Sequence, residues 1–146
     1  MYKGARTEGV AFFTLLYEDA SFCEEFGRCM LAAARLEAIM IIYLRKNNIQ
    51  TSEKETLGQL INSAKKNSLL TKMIPALEML KIQRNFLTHN LYAIFMGLIE
   101  DPILPNKDLL DGDVGLFTER AYLLRENLEG LADILNSCLL YTSRCV

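Results

Sequence analysis

Histidine is almost missing from this chain, with one in 146 residues. Four cysteines, Cys23, Cys29, Cys138 and Cys145, stand in no CxxC spacing. A lone imidazole and scattered thiols exclude the usual zinc patterns, so neither metal nor cofactor is expected, and the thiols are read as reduced and partly buried. Charge of one sign is missing too. Sixteen basic side chains face 18 acidic ones, a net charge of −2, which gives no global field to draw in a polyanion. Any nucleic-acid contact must rest on a local patch. The longest basic runs are pairs, Arg45-Lys46 and Lys65-Lys66, and solvated helix ends explain both. No apolar run reaches the roughly 18 residues a membrane span needs, and no basic, apolar and small-residue leader opens the chain. A cytoplasmic protein without a membrane partner is expected. A Gly-rich phosphate loop, an alternating strand pattern and an internal repeat are all absent.

What is present is helical. Apolar residues make up 51% and charged residues 23%, a globular composition, and the length suits one domain over residues 1–139. Tyr141 to Val146 resemble a translated cloning adapter, and residues 140–146 are treated as a tail. Val10 to Tyr17 reads as a short helix. Ser21 and Glu24 have capping-box spacing at the start of a long helix. That helix is seamed by Phe22, Phe26, Cys29, Ala33, Leu36, Met40 and Tyr43, and Asn47-Asn48 suit a left-handed end. A shorter helix from about Lys54 to Lys66 carries Leu57, Leu60, Ile61 and Ala64, and Asn67-Ser68 closes it. Pro75 fits the first turn of the next helix. Leu91 to Leu98 is too apolar for free loop. Asp101-Pro102, Pro105-Asn106 and Asp111-Gly112-Asp113 mark a surface connection, a candidate flap. A last helix, about Gly115 to Leu139, carries Phe117, Ala121, Leu124, Leu128, Leu131, Leu135 and Cys138 at spacings of four and three. Gly130 inside it suggests close approach by another helix. The fold class expected is all-α: an antiparallel four-helix bundle with a short extra helix.

One charge falls where it should not. Counting about 100° per residue, Arg84 lies near the centre of the stripe Leu77, Leu80, Leu87 and Leu91. An unpartnered cation there costs several kcal/mol, so a carboxylate, a polar cleft or a phosphate is required. Glu37, flanked by Met30, Ala34, Ile41 and Leu44 on the long helix, is the partner the pattern offers. The pair is either purely structural or orients Arg84 for a ligand. His89, with an ordinary pKa near 6.5, is the sole candidate for acid or base chemistry at neutral pH. On a straight helix it points about 140° away from Arg84. Convergence needs a bend, a frayed end or a second chain. Asn90 can end the helix, and Asn85 can hold the imidazole or a phosphate oxygen in the same cleft.

Arg84-Asn85-Phe86-Leu87-Thr88-His89 resembles the RNxxxH form of the Rx4-6H motif of HEPN domains. The motif covers six residues, and the helical layout resembles the family over most of the chain. The resemblance implies a homodimer whose paired motifs line one cleft, and a metal-independent ribonuclease with Arg84, Asn85 and His89 as catalytic residues and Glu37 and Tyr92 in support. It also implies an RNA substrate and a toxin or defence role, with an antitoxin or other regulatory protein as partner. The chemistry is self-consistent: His89 can take the proton of a ribose 2′-OH or protonate the leaving 5′-oxygen. Arg84 can meet the charge growing on the phosphate. The sequence departs from one toxin subset, which has Tyr two residues after the His; here Asn90 and Leu91 precede Tyr92, which also fits a packed aromatic. The alternative is a non-catalytic HEPN dimer that binds nucleotide or protein. A DNA-binding repressor ranks last, because no exposed basic recognition helix is visible.

Overall fold

In a computed structural model the chain is described over residues 9–88 and 113–140. These residues form five helices and no strand: α1 (Gly9–Glu18), α2 (Ala20–Lys46), α3 (Leu57–Lys66), α4 (Ile74–Thr88) and α5 (Asp113–Leu140). The all-α class read from the periodicity is what the structure shows. Among the described residues no helix is long and apolar enough to cross a membrane.

Helix ends follow local chemistry, with one reassignment. α2 is not opened by Ser21 and Glu24. Asp19 breaks the chain after α1, and its Oδ1 accepts from the Phe22 N–H at 2.7 Å. A carboxylate is a stronger acceptor than a hydroxyl and suits the positive end of the helix dipole, so the cap falls two residues earlier. Glu24 pairs instead with Arg28 at 2.7 Å. The reciprocal capping box belongs to α3, where Thr56 Oγ1 accepts from Gln59 N–H at 3.3 Å and Gln59 Oε1 from Thr56 N–H at 2.8 Å. That helix therefore starts at Leu57 and not at Lys54.

The stops match their residues closely. Asn48 (φ 65°) and Ser68 (φ 56°) take the left-handed conformation. In each case the next N–H reaches back across the end, Ile49 to Leu44 O at 3.0 Å and Leu69 to Ala64 O at 2.9 Å. Both are Schellman motifs, which satisfy carbonyls the helix leaves open.

The described residues fall into two compact units, one within Met1–Met30 and Gln83–Arg125, the other within Leu31–Ile82 and Glu126–Val146. The first packs Phe12 edge-on against Phe117, with ring centroids 5.2 Å apart. Leu16, Phe22, Cys29, Leu87, Ala121 and Leu124 are buried in it as well, and the Cys29 thiol donates to the Ala121 carbonyl at 2.8 Å. The second buries Leu36, Met40, Tyr43 and Leu44 of α2, the α3 face Leu57, Leu60, Ile61 and Ala64, Leu77 and Leu80 of α4, and Leu128, Ala132, Leu135 and Cys138 of α5. Burial raises the pKa of the Tyr43 hydroxyl above its ordinary value.

Three expectations need correction. A Cβ on Gly130 would meet no described atom within 4 Å, so this glycine admits no neighbouring helix there; Ala132 takes the buried position instead. Cys138 is disulfide-bonded, whereas Cys23 and Cys29 are free thiols; the other half of the bond lies outside the described residues. Leu140, assigned to the tail, ends α5.

Candidate functional site

Arg84 and Asn85 lie on the last described turn of α4. Leu77, Leu80 and Leu87 of the expected stripe are buried, and Arg84, half-buried, occupies the position between Leu80 and Leu87. Its Nη1 donates to Asn85 Oδ1 at 3.2 Å. The Nε atom is buried and donates to no acceptor among the described residues, and the guanidinium has interactions beyond the Asn85 bond. This bond sets a guanidinium and a primary amide side by side on adjacent residues. Such a set recognises an oxyanion, because a guanidinium and a primary amide both donate in plane to phosphate or carboxylate oxygens.

The other expected site residues are distributed differently. His89, Asn90 and Tyr92, the apolar stretch Leu91 to Leu98 and the flap after Asp101 lie outside the described residues. Glu37 is half-buried on α2 and belongs to the second unit, whereas Arg84 belongs to the first. Among the described residues no three His, Cys, Asp or Glu side chains gather as metal ligands do.

A second charge is held mostly out of solvent. From the sequence, Arg120 and Arg125 of the last helix fit a phosphate contact and an exposed helix face equally well. Arg125 Nε instead donates to Glu25 Oε2 at 2.7 Å, with side-chain exposures of only 14% and 17% for the two residues. Its guanidinium also lies 4.9 Å from the centre of the Tyr122 ring. A signal was available: Arg125 stands four residues after Ala121 and Glu25 three after Phe22, each on the flank of a buried seam. Arg120 is exposed. No family model, curated protein or solved structure matches this chain. The functional reading therefore rests on the geometry of α4 and on the motif that continues past it.

Proposed function

We propose that this chain is a metal-independent endoribonuclease of HEPN type, working as a homodimer in the cytoplasm with the antiparallel four-helix arrangement of that family. His89 removes the proton from a ribose 2′-OH, and the freed oxygen attacks the adjacent phosphorus. The 5′-oxygen of the next nucleotide leaves and takes a proton from an imidazolium, His89 of the second subunit. One proton is given and one taken, and the products are a 2′,3′-cyclic phosphate and a 5′-hydroxyl end. Arg84 stabilises the charge building on the phosphate oxygens, and Asn85 fixes the plane of its fork. Glu37 and Tyr92 support the cleft. A role as toxin or defence effector, restrained by an antitoxin or other regulatory protein, completes the reading.

The observation that carries it is the half-buried Arg84 in a leucine stripe, with Nη1 held 3.2 Å from Asn85 Oδ1, five residues before the single histidine. The reaction needs only proton transfer and charge stabilisation, both within reach of these side chains. Purified protein is expected to cleave single-stranded RNA in the presence of a chelator and to leave cyclic phosphate ends. Replacing His89 by Ala should lower the rate roughly 10²- to 10⁴-fold without unfolding the chain. Cleavage that persists in both His89→Ala and Arg84→Ala rejects the assignment. Tight nucleotide or protein binding without cleavage supports the non-catalytic dimer instead.

A further inference from the structure

The exposed side of α2 is patterned as its own complement. Counting about 100° per residue, Glu24, Gly27, Leu31, Ala34, Ala38, Ile42 and Arg45 fall within an arc of about 80° on this one continuous helix. All seven are exposed, and Leu31 and Ile42 are 73% and 48% exposed despite their size. Between the two charges the arc holds nothing polar. Arg35, on its edge, is drawn sideways to Asp133 at 2.8 Å, and Arg28 pairs with Glu24 itself at 2.7 Å. The order of residues is palindromic about the point between Ala34 and Arg35. Glu24 and Arg45 are equidistant from it, as are Gly27 and Ile42, and Leu31 and Ala38. Opposite charge mirrors opposite charge, and each large side chain mirrors a small one.

We infer that this face of α2 binds the same face of a second copy of the chain, antiparallel about a two-fold axis between Ala34 and Arg35. A copy of this helix run in reverse meets all three mirrored pairs at once. Leu31 then sits over Ala38 of the partner subunit, Ile42 fills the space over the partner's Gly27, and Glu24 faces the partner's Arg45. The close approach is allowed because a Cβ on Gly27 would meet no described atom within 4 Å, so the surface there is open. Antiparallel helices also set opposite dipole ends side by side, which adds to the attraction. Arg45 reaches this contact while its Nε and Nη2 donate to Thr51 at 3.0 Å, which holds the guanidinium at the helix end. The inference stands on α2 alone and does not require RNA cleavage.

The full chain, examined by light scattering and sedimentation at micromolar concentration, is expected to be a dimer. Leu31→Asp should weaken that dimer at least about tenfold. Gly27→Leu separates this packing from a merely sticky surface: added bulk strengthens general apolar docking but collides with the partner's Ile42 here, so the dimer should weaken. Combining Gly27→Leu with Ile42→Ala exchanges large and small across the axis and should restore association. In a Cys23→Ser background, Ala34→Cys should form a disulfide-linked dimer on oxidation, whereas cysteine at exposed Ile134 should not. A monomeric parent overturns the inference, and so does a dimer that ignores Leu31→Asp or tightens with Gly27→Leu. RNase activity is scored separately, so a dimer without cleavage rejects the catalytic reading and leaves this one standing.

Discussion

The first unit holds two arginines in apolar surroundings, and they are satisfied in different ways. Arg125 is engaged by a carboxylate, Glu25, through Nε at 2.7 Å and Nη2 at 3.4 Å, and lies over an aromatic ring. Arg84 bonds the neutral amide oxygen of its chain neighbour Asn85 at 3.2 Å. A carboxylate clamp cancels the charge and fixes the side chain, which makes Arg125 a tie between α2 and α5. At Arg84 the amide of Asn85 orients the guanidinium. The first kind, a carboxylate clamp, serves folding, and the second, a guanidinium bonded to an amide, is the one the proposed reaction asks to meet an anion.

The largest effect should come from breaking the second kind. Arg84→Ala is expected to lower RNA cleavage about 10²- to 10³-fold. Arg84→Lys should recover little of this, because an ammonium keeps the charge but loses the planar fork. Rates with a chelator present, set beside thermal melts, check both. Near-normal cleavage by Arg84→Lys would reduce Arg84 to a point charge. Next in size is Glu25→Gln. It leaves the Arg125 cation mostly buried without its carboxylate, and denaturant unfolding should show a loss of about 2 kcal/mol, below the deeply buried limit because both side chains keep some water. Cleavage per folded molecule should not change. If Glu25→Gln cuts activity as deeply as Arg84→Ala, the division between the two arginines fails.

Glu37 tests whether Arg84 also belongs in part to the first kind. Two charges on two apolar flanks suggest the pair, and a double-mutant cycle decides it. Arg84→Met, Glu37→Gln and the double variant are expected to show a coupling of about 1 kcal/mol in unfolding free energy. Activity in Glu37→Gln should fall far less than in Arg84→Ala. Strict additivity would remove Glu37 from the supporting cast.

Much of the fold was legible because burial imposes a period on the sequence. The stripes Leu57, Leu60, Ile61 and Ala64 on α3 and Phe117, Ala121, Leu124 and Leu128 on α5 are all buried, and Asn48 and Ser68 end their helices in the left-handed conformation their side chains tolerate. What period cannot rank is competition between neighbouring caps. Asp19 and Ser21 both qualify, and the carboxylate prevails because it also serves the break after α1. Nor does period say which flanking charge finds a partner far along the chain, as Arg125 finds Glu25 100 residues away. At the candidate site, Arg84 and its stripe could be read directly, since a charge among leucines stands out. The bond from Arg84 to Asn85 could not, because adjacent residues on a helix point about 100° apart and meet only if both side chains turn back.

The smallest effect belongs to an ion pair exposed to water, which marks the lower limit of the comparison. Lys65 Nζ lies 2.9 Å from Glu78 Oε1, and the hydrogen bond and charge of Lys65 hold the Glu78 carboxyl below its ordinary pKa. A lowered folded-state pKa stabilises the fold at pH above the unfolded value, and that stabilisation is lost as pH falls through the folded value. Carboxyl resonances followed by NMR titration should place Glu78 below an ordinary glutamate, and Lys65→Met or high salt should return it toward that value. Glu78→Gln should leave the melting temperature almost unchanged at neutral pH, because solvent screens both charges and side-chain ordering offsets their attraction. A clear destabilisation by Glu78→Gln would mean that exposure does not separate this pair from Glu25 and Arg125, and burial would lose its standing as the variable that sorts the charges of this chain.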